Sequence, residues 1–270
     1  MDVQSIVARP ELSGTEWSVA VESLDGARIA DVSSTRLLRT ASVAKVFLLI
    51  DVADRIESGT LDPHLPLKRT PEARVMDSGI WQHLETDTLP LADVARLVGI
   101  ASDNWATNVL LDLVGLDDVR RQSETYAPGG SRLLDRVRDQ RGVGHPETLS
   151  VGCAADWVAI FAGIDGGKIV SPDVSSRVRH WLGGGLDLSM VASAFGLDPL
   201  SHLQPDRGFA VWNKTGTDAG VRADIGVVEG PSGAFAYAVV CNWDAESDGP
   251  RDSVLRAMRD IGGVLRSACA

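Results

Sequence analysis

Four residues, Ser42-Val43-Ala44-Lys45, are spaced to do nucleophilic chemistry. A hydroxyl attacks a carbonyl only when a base takes its proton. Ser42 and Lys45 are neighbours on one face of any helix that starts here. The serine then lies at the helix N-terminus, where free N–H groups and the positive end of the dipole favour developing negative charge. A lysine kept neutral by burial and by a nearby cation can act as the base. The pair alone reads equally as an N-capping serine followed by a solvated lysine. Two further stretches shift the balance, Ser102-Asp103-Asn104 and Lys214-Thr215-Gly216-Thr217. The chain holds only four lysines, Lys45, Lys68, Lys168 and Lys214, and otherwise carries positive charge on arginine. Two of the four, Lys45 and Lys214, fall in the three stretches together, which points to a need for a compact, titratable amine.

The surrounding pattern says what must position them. Residues 43–57 read as a helix closed by Ser58-Gly59, apolar on most of its surface and so central in the molecule. Residues 17–22 and 27–33 flank Asp25-Gly26 as a strand pair. Beyond a Pro-containing loop, residues 91–100 carry helical periodicity. Ser102-Asp103-Asn104 then sits on a short connection before a helix over 105–114. Further helices are expected over 117–125, 150–163, 173–182 and 187–196. The pattern changes to strands over 208–215, 220–229 and 234–243, and an amphipathic helix closes the chain over 250–266. There are no repeats, low-complexity segments or linkers. Early and late strands around a helical middle predict one interlocked domain over 1–270. An antiparallel sheet lobe would come from about 1–40 and 200–270, and an all-helical lobe from about 41–199. The cleft between lobes is the expected site.

In their order, Ser-x-x-Lys, Ser-Asp-Asn and Lys-Thr-Gly resemble the serine β-lactamase and penicillin-binding protein superfamily. Spacing and length are most similar to the class A β-lactamase branch, and the resemblance runs from about Trp17 to the C-terminus. It implies an α/β (α+β) β-lactamase-like fold, an antiparallel sheet flanked by helices plus an all-helical lobe. It also implies a role for each site residue. Ser42 would attack an amide carbonyl and form an acyl-enzyme, with Lys45 as base. Ser102, otherwise a plain helix-capping serine, would pass a proton to the departing nitrogen. Asn104 would hydrogen-bond an amide of the substrate. Lys214 would keep Lys45 neutral and attract a substrate carboxylate, with the hydroxyls of Thr215 and Thr217 beside it. The N–H groups of Ser42 and Thr217 would form an oxyanion hole. Gly216 would let the ligand approach the strand. Arg222 is either a second carboxylate anchor or a solvated strand arginine. Trp81 is either a wall for the substrate or a packed surface tryptophan.

One region departs from the class A pattern. Such enzymes carry a glutamate that activates the hydrolytic water, two residues after a Leu-Asp-Arg-type segment, in a Glu-x-x-Leu-Asn pattern. Leu134-Asp135-Arg136 matches the approach, but the glutamate's place falls on Arg138. Arginine cannot act as a base in a protein. Asp139, Glu147 or a double use of Lys45 are the substitutes, and Arg136 could pair with Glu147 across the loop neck. The expectation is acylation by Ser42 with slow or altered deacylation. Two alternatives follow. One is a covalent β-lactam-binding protein or sensor without turnover, and the other is a D-alanyl peptidase or esterase-like hydrolase.

Composition bounds the rest. The chain has 270 residues, 44% hydrophobic and 23% charged, an ordinary globular balance. A net charge of −11 disfavours nucleic acid and anionic membranes as partners. No apolar run is long enough to span a bilayer. The N-terminus shows no signal peptide, so the chain as it stands reads as cytoplasmic, or as secreted if trimmed. Cys153, Cys241 and Cys269 and the five histidines lack ligand spacing, so neither metal nor cofactor is expected. The expected partner is a small-molecule substrate, a β-lactam or related amide with a carboxylate, bound by a monomer.

Overall fold

The computed structural model describes residues 2–247 and 249–270. A short helix α1 (Val3–Val7), capped by the Asp2 carboxylate on Ser5 N–H, leads into strands β1 (Glu16–Ser23) and β2 (Arg28–Val32). Strand β3 (Leu38–Arg39) is followed by a 3-10 turn, Ala41–Ala44, that runs directly into α2 (Lys45–Glu57). Strands β4 (Pro66–Lys68) and β5 (Thr88–Pro90) pair as a small ribbon. Helices α3 (Leu91–Ala101), α4 (Asn104–Val114) and α5 (Leu116–Tyr126) follow, then strands β6 (Arg132–Leu133) and β7 (Ser150–Gly152). Helices α6 (Ala154–Asp165) and α7 (Pro172–Leu182) complete the helical body. Strands β8 (Ala210–Asp218), β9 (Val221–Gly230) and β10 (Gly233–Asn242) return to the sheet, and α8 (Arg251–Cys269) ends the chain.

The main sheet has the order β2-β1-β10-β9-β8 and is antiparallel throughout. Successive side chains of a strand point to opposite faces, and here both faces are covered. On β10, Ala236, Ala238 and Val240 meet the helical body, while Phe235, Tyr237, Val239 and Cys241 meet α8 and its neighbours. This explains why these strands read as apolar runs. The helical body is built around α2, whose residues Val46 to Ile50 are all fully buried. A helix apolar on most of its surface belongs in the centre of a protein.

Two segments differ from the sequence expectation. The helix expected over 150–163 starts at Ala154, because Ser150–Gly152 pairs with both β3 and β6. The helix expected over 187–196 is only a 3-10 turn, Val191–Phe195. The Asp187 carboxylate accepts from Ser189 N–H and Oγ, a local bond that competes with helix. Among the described residues no helix is long and apolar enough to cross a membrane.

Candidate active site

Sheet order puts β8 at an edge, and the edge faces the turn that carries Ser42. The Cα of Gly216 comes so close to this turn that a Cβ there would lie 2.1 Å from Thr40 O. The missing side chain at Gly216 thus allows contact between strand and turn, a reason the sequence reading did not give. The turn is itself held open. Ala41 adopts φ +47°, a conformation costly for a residue with a Cβ. Its carbonyl accepts from Ser150 Oγ at 2.6 Å, and Thr40 Oγ1 lies 2.7 Å from the same hydroxyl. The first bond inside the turn is Val43 N–H to Thr40 O. Ser42 N–H precedes it, among the orphan donors that open a helix.

Lys45 follows at the start of α2, fully buried. Its Nζ donates to Ser102 O at 2.6 Å and to Asn104 Oδ1 at 2.8 Å, and lies 3.3 Å from Ser102 Oγ. From the opposite side, Lys214 Nζ donates to Ser102 Oγ at 2.9 Å and to Thr215 O at 2.8 Å. Ser102 thus bridges two buried amines, and its own hydroxyl proton remains for the cleft. Ser102 holds φ +54° at the end of α3, a strained backbone fixed by the bond from Lys45 to its carbonyl. Burial pushes the Lys45 amine well below the ordinary lysine value, and the neighbouring Lys214 charge pushes the same way. Burial brings Lys214 down to about 8, opposed by the carboxylates of Asp187 and Asp224.

These groups open on one cavity of about 450 Å³ lined by Ser42, Ser102, Lys214, Thr215 and Thr217. The pairing of Asp218 with Val221 around a two-residue loop makes Thr217 and Arg222 the next pair. In an antiparallel ladder such alternate pairs are not hydrogen-bonded to each other, so Thr217 N–H points off the sheet edge towards the cleft.

Several expectations are corrected. Trp81 is neither substrate wall nor surface residue; it is fully buried and donates to Thr86 O, and Ile80 lines the cleft instead. Asn104 has both ends of its amide engaged internally, Oδ1 with Lys45 and Nδ2 with Met76 O. It holds the lysine, a role the sequence reading did not assign to it. Arg222 is 6% exposed and so not solvated. Its guanidinium lies 5.7 Å from the Trp243 ring, and Nη1 donates to Asp218 O and Val221 O, in a hollow of about 280 Å³ beside Thr217. Arg136 pairs with Asp112, not with Glu147.

Sequence reasoning passed over Asp103, although it stands inside a recognised motif. Its Oδ1 caps α4 on Ala106 N–H, while Oδ2 accepts from Ile80 N–H at 2.7 Å and Trp81 N–H at 2.8 Å. One carboxylate therefore joins a helix start to the rim of the cleft. Asp77, Ile100, Leu186 and Asp187 also line the cavity. Nothing in their local sequence marks them, since they meet only through the fold. Among the described residues no group of three or more His, Cys, Asp or Glu could hold a metal ion, and the three cysteines are buried free thiols.

The model of the beta-lactamase enzyme family matches residues 2–267. A β-lactamase from Sphaerobacter thermophilus is a structural neighbour at 23% identity and a TM-score of 0.84, covering 98% of this chain and 96% of its own. A class A β-lactamase from Mycobacterium abscessus aligns at 17% identity and a TM-score of 0.80, over 99% and 98%. The penicillin-binding protein PBP-A aligns at 18% identity and a TM-score of 0.77, over 98% and 94%. At these identities the likeness speaks for the fold. A comparison with curated protein sequences found no match.

Proposed function

The chain belongs to the beta-lactamase enzyme family and is a serine hydrolase of that type acting on β-lactams, and from this premise we propose that Ser42 is its nucleophile. Neutral Lys45 takes the Ser42 proton as Oγ bonds to the carbonyl carbon of the lactam. The tetrahedral oxyanion rests on the N–H groups of Ser42 and Thr217. The C–N bond then breaks, and the Ser102 hydroxyl gives its proton to the departing nitrogen. Ser102 is made whole again by a proton from the lysine side, leaving an ester on Ser42. Lys214, Thr215 and Thr217 receive the substrate carboxylate. The single observation that carries this reading is the Ser102 hydroxyl, shared between the buried amines of Lys45 and Lys214 at the cavity that Ser42 lines.

Deacylation is slow in this proposal. No carboxylate from the loop that follows β6 lines the cavity. Asp135 is taken up by Arg138 and Arg141, and Asp139 accepts from Met76 N–H at 3.2 Å. Without a base from that loop for the water, a barrier higher by about 4 kcal/mol slows turnover roughly a thousandfold. The same loop favours a second reading, a covalent β-lactam binder without turnover. A PBP-A mutant has been solved as an acyl-enzyme complex with penicillin G, and that neighbour is 19% identical to this chain.

The test is a chromogenic cephalosporin followed by colour and by intact mass. The expected result is a burst of one equivalent, an adduct on Ser42 and a slow steady rate. A fast linear rate with no adduct removes the slow step, and a stable adduct with no steady rate selects the binder. Ser42→Ala should abolish both colour and adduct; an adduct on this variant discards the nucleophile.

A further inference from the structure

The cleft does not end at Ser102. Ile100 and Leu186, which wall it on that side, are also a wall of a second hollow of about 250 Å³. Pro199, Leu200 and Leu203 close that hollow from the segment before β8. Leu200 and Leu203 are 83% and 72% exposed, large apolar side chains set on one short segment at the rim. Apolar surface gathered in one place marks a binding surface more often than scattered leucines do. The hollow shares His180, His202 and Leu203 with a third, of about 310 Å³, which Trp212 also lines.

Two residues that line these hollows each carry an unmet polar atom. Among the described residues four buried side-chain nitrogens have no hydrogen-bond partner, and two of them, His202 Nε2 and Trp212 Nε1, belong to groove residues. Both residues are 4% exposed. Buried polar atoms are normally satisfied, so two orphans in one groove ask for a partner. The required chemistry can be read from them. His202 Nδ1 lies 3.1 Å from Asp198 O, which can only accept, so Nδ1 carries hydrogen, and in that tautomer Nε2 is an acceptor. Trp212 Nε1 can only donate.

We propose that this groove is a leaving-side subsite of the active site, taking an apolar chain tipped with a hydroxyl or an amide. It rests on the function proposed above, in which Ser102 protonates the departing nitrogen. Ile100 lies two residues before Ser102, on the last turn of the same helix. A substituent on the departing side of the scissile bond therefore runs along Ile100 and Leu186 into the groove. A substituent on the acyl side does not. The tip both donates to His202 and accepts from Trp212, which a hydroxyl or amide can do and a methyl or carboxylate cannot.

The experiment uses the full chain and two series of cephalosporins with methyl to hexyl chains, one series extended on the leaving side and one on the acyl side. Acylation of Ser42 is read by intact mass. In wild type the acylation constant should rise by up to about fourfold per CH₂ on the leaving side only, the value of a fully buried CH₂. Leu203→Asp, at an exposed position, should flatten that rise and leave the methyl member unchanged. A hydroxyl-tipped chain should acylate faster than its methyl-tipped equal, and His202→Phe should remove the difference. A flat leaving-side series, equal slopes in both series, or a slope that survives Leu203→Asp overturns the subsite. Absence of both adduct and hydrolysis with every member overturns the nucleophile, and the subsite with it.

Discussion

In the mechanism we propose the chemistry turns on Ser102, and its setting makes pH a sharp probe. Lys214 must be charged to hold a carboxylate, so kcat/KM should fall as pH rises through about 8. Lys45 must be neutral to act as base, so the rate should fall again on the acid side, through a value well below that of an ordinary lysine. Lys214→Arg should move the alkaline limb upward, because a guanidinium does not lose its proton in this range. An alkaline limb that stays in place in this variant would assign it to another group. Asp103 makes its own case for stability. Asp103→Ala removes a helix cap and strands two backbone N–H groups beside a buried site. The expected loss is roughly 3 kcal/mol in urea unfolding.

Among the elements, the contact between β8 and the Ala41–Ala44 turn decides whether Ser42 faces the lysines. Gly216→Ala places a Cβ on Thr40 O, and the turn must retreat. Overpacking of this kind costs about 1–3 kcal/mol. Here acylation should fall by at least about tenfold as well, since a shift near 1 Å at the reacting atoms costs up to about a hundredfold. Unchanged acylation by Gly216→Ala would show that the turn adapts. Ser150 supports the turn from behind, and this role was invisible in a stretch expected to be helix. The glycine was legible only as a motif letter; its reason, a neighbouring carbonyl, belongs to tertiary packing.

At the scale of the molecule, a sheet covered on both faces buries groups that water would otherwise hold. Asp224 is fully buried between Asn213, Tyr237 and Ala192, and burial raises its carboxyl to about 6 from 3.8. Between these values the folded state binds more protons than the unfolded, so stability falls as pH rises from about 4 to about 6. Lys214 acts in the opposite sense at the other end. Between about 8 and 10.5 the unfolded state binds more protons, and stability rises with pH. Asp224→Asn should flatten the acid part of a pH series of unfolding midpoints and, by removing a carboxylate that supports the Lys214 charge, start the alkaline rise at lower pH; an unaltered acid slope would place the titration elsewhere.

Local sequence determined which residue types were available and in what order. Ser42 and Lys45 are one helical turn apart, the strands over β9 and β10 are apolar and interrupted by turns, and α2 is apolar on most of its surface. Such features follow from backbone periods of 3.6 and 2 and need no distant partner. The family resemblance rested on three such stretches. Tertiary structure alone decided that Trp81 is core, that Asn104 faces Lys45, that Gly216 makes room for the Thr40 carbonyl, and that Asp103 ties rim to helix. Each of these depends on a contact between residues far apart in the chain, and the identity of a residue does not say which distant atom will stand beside it.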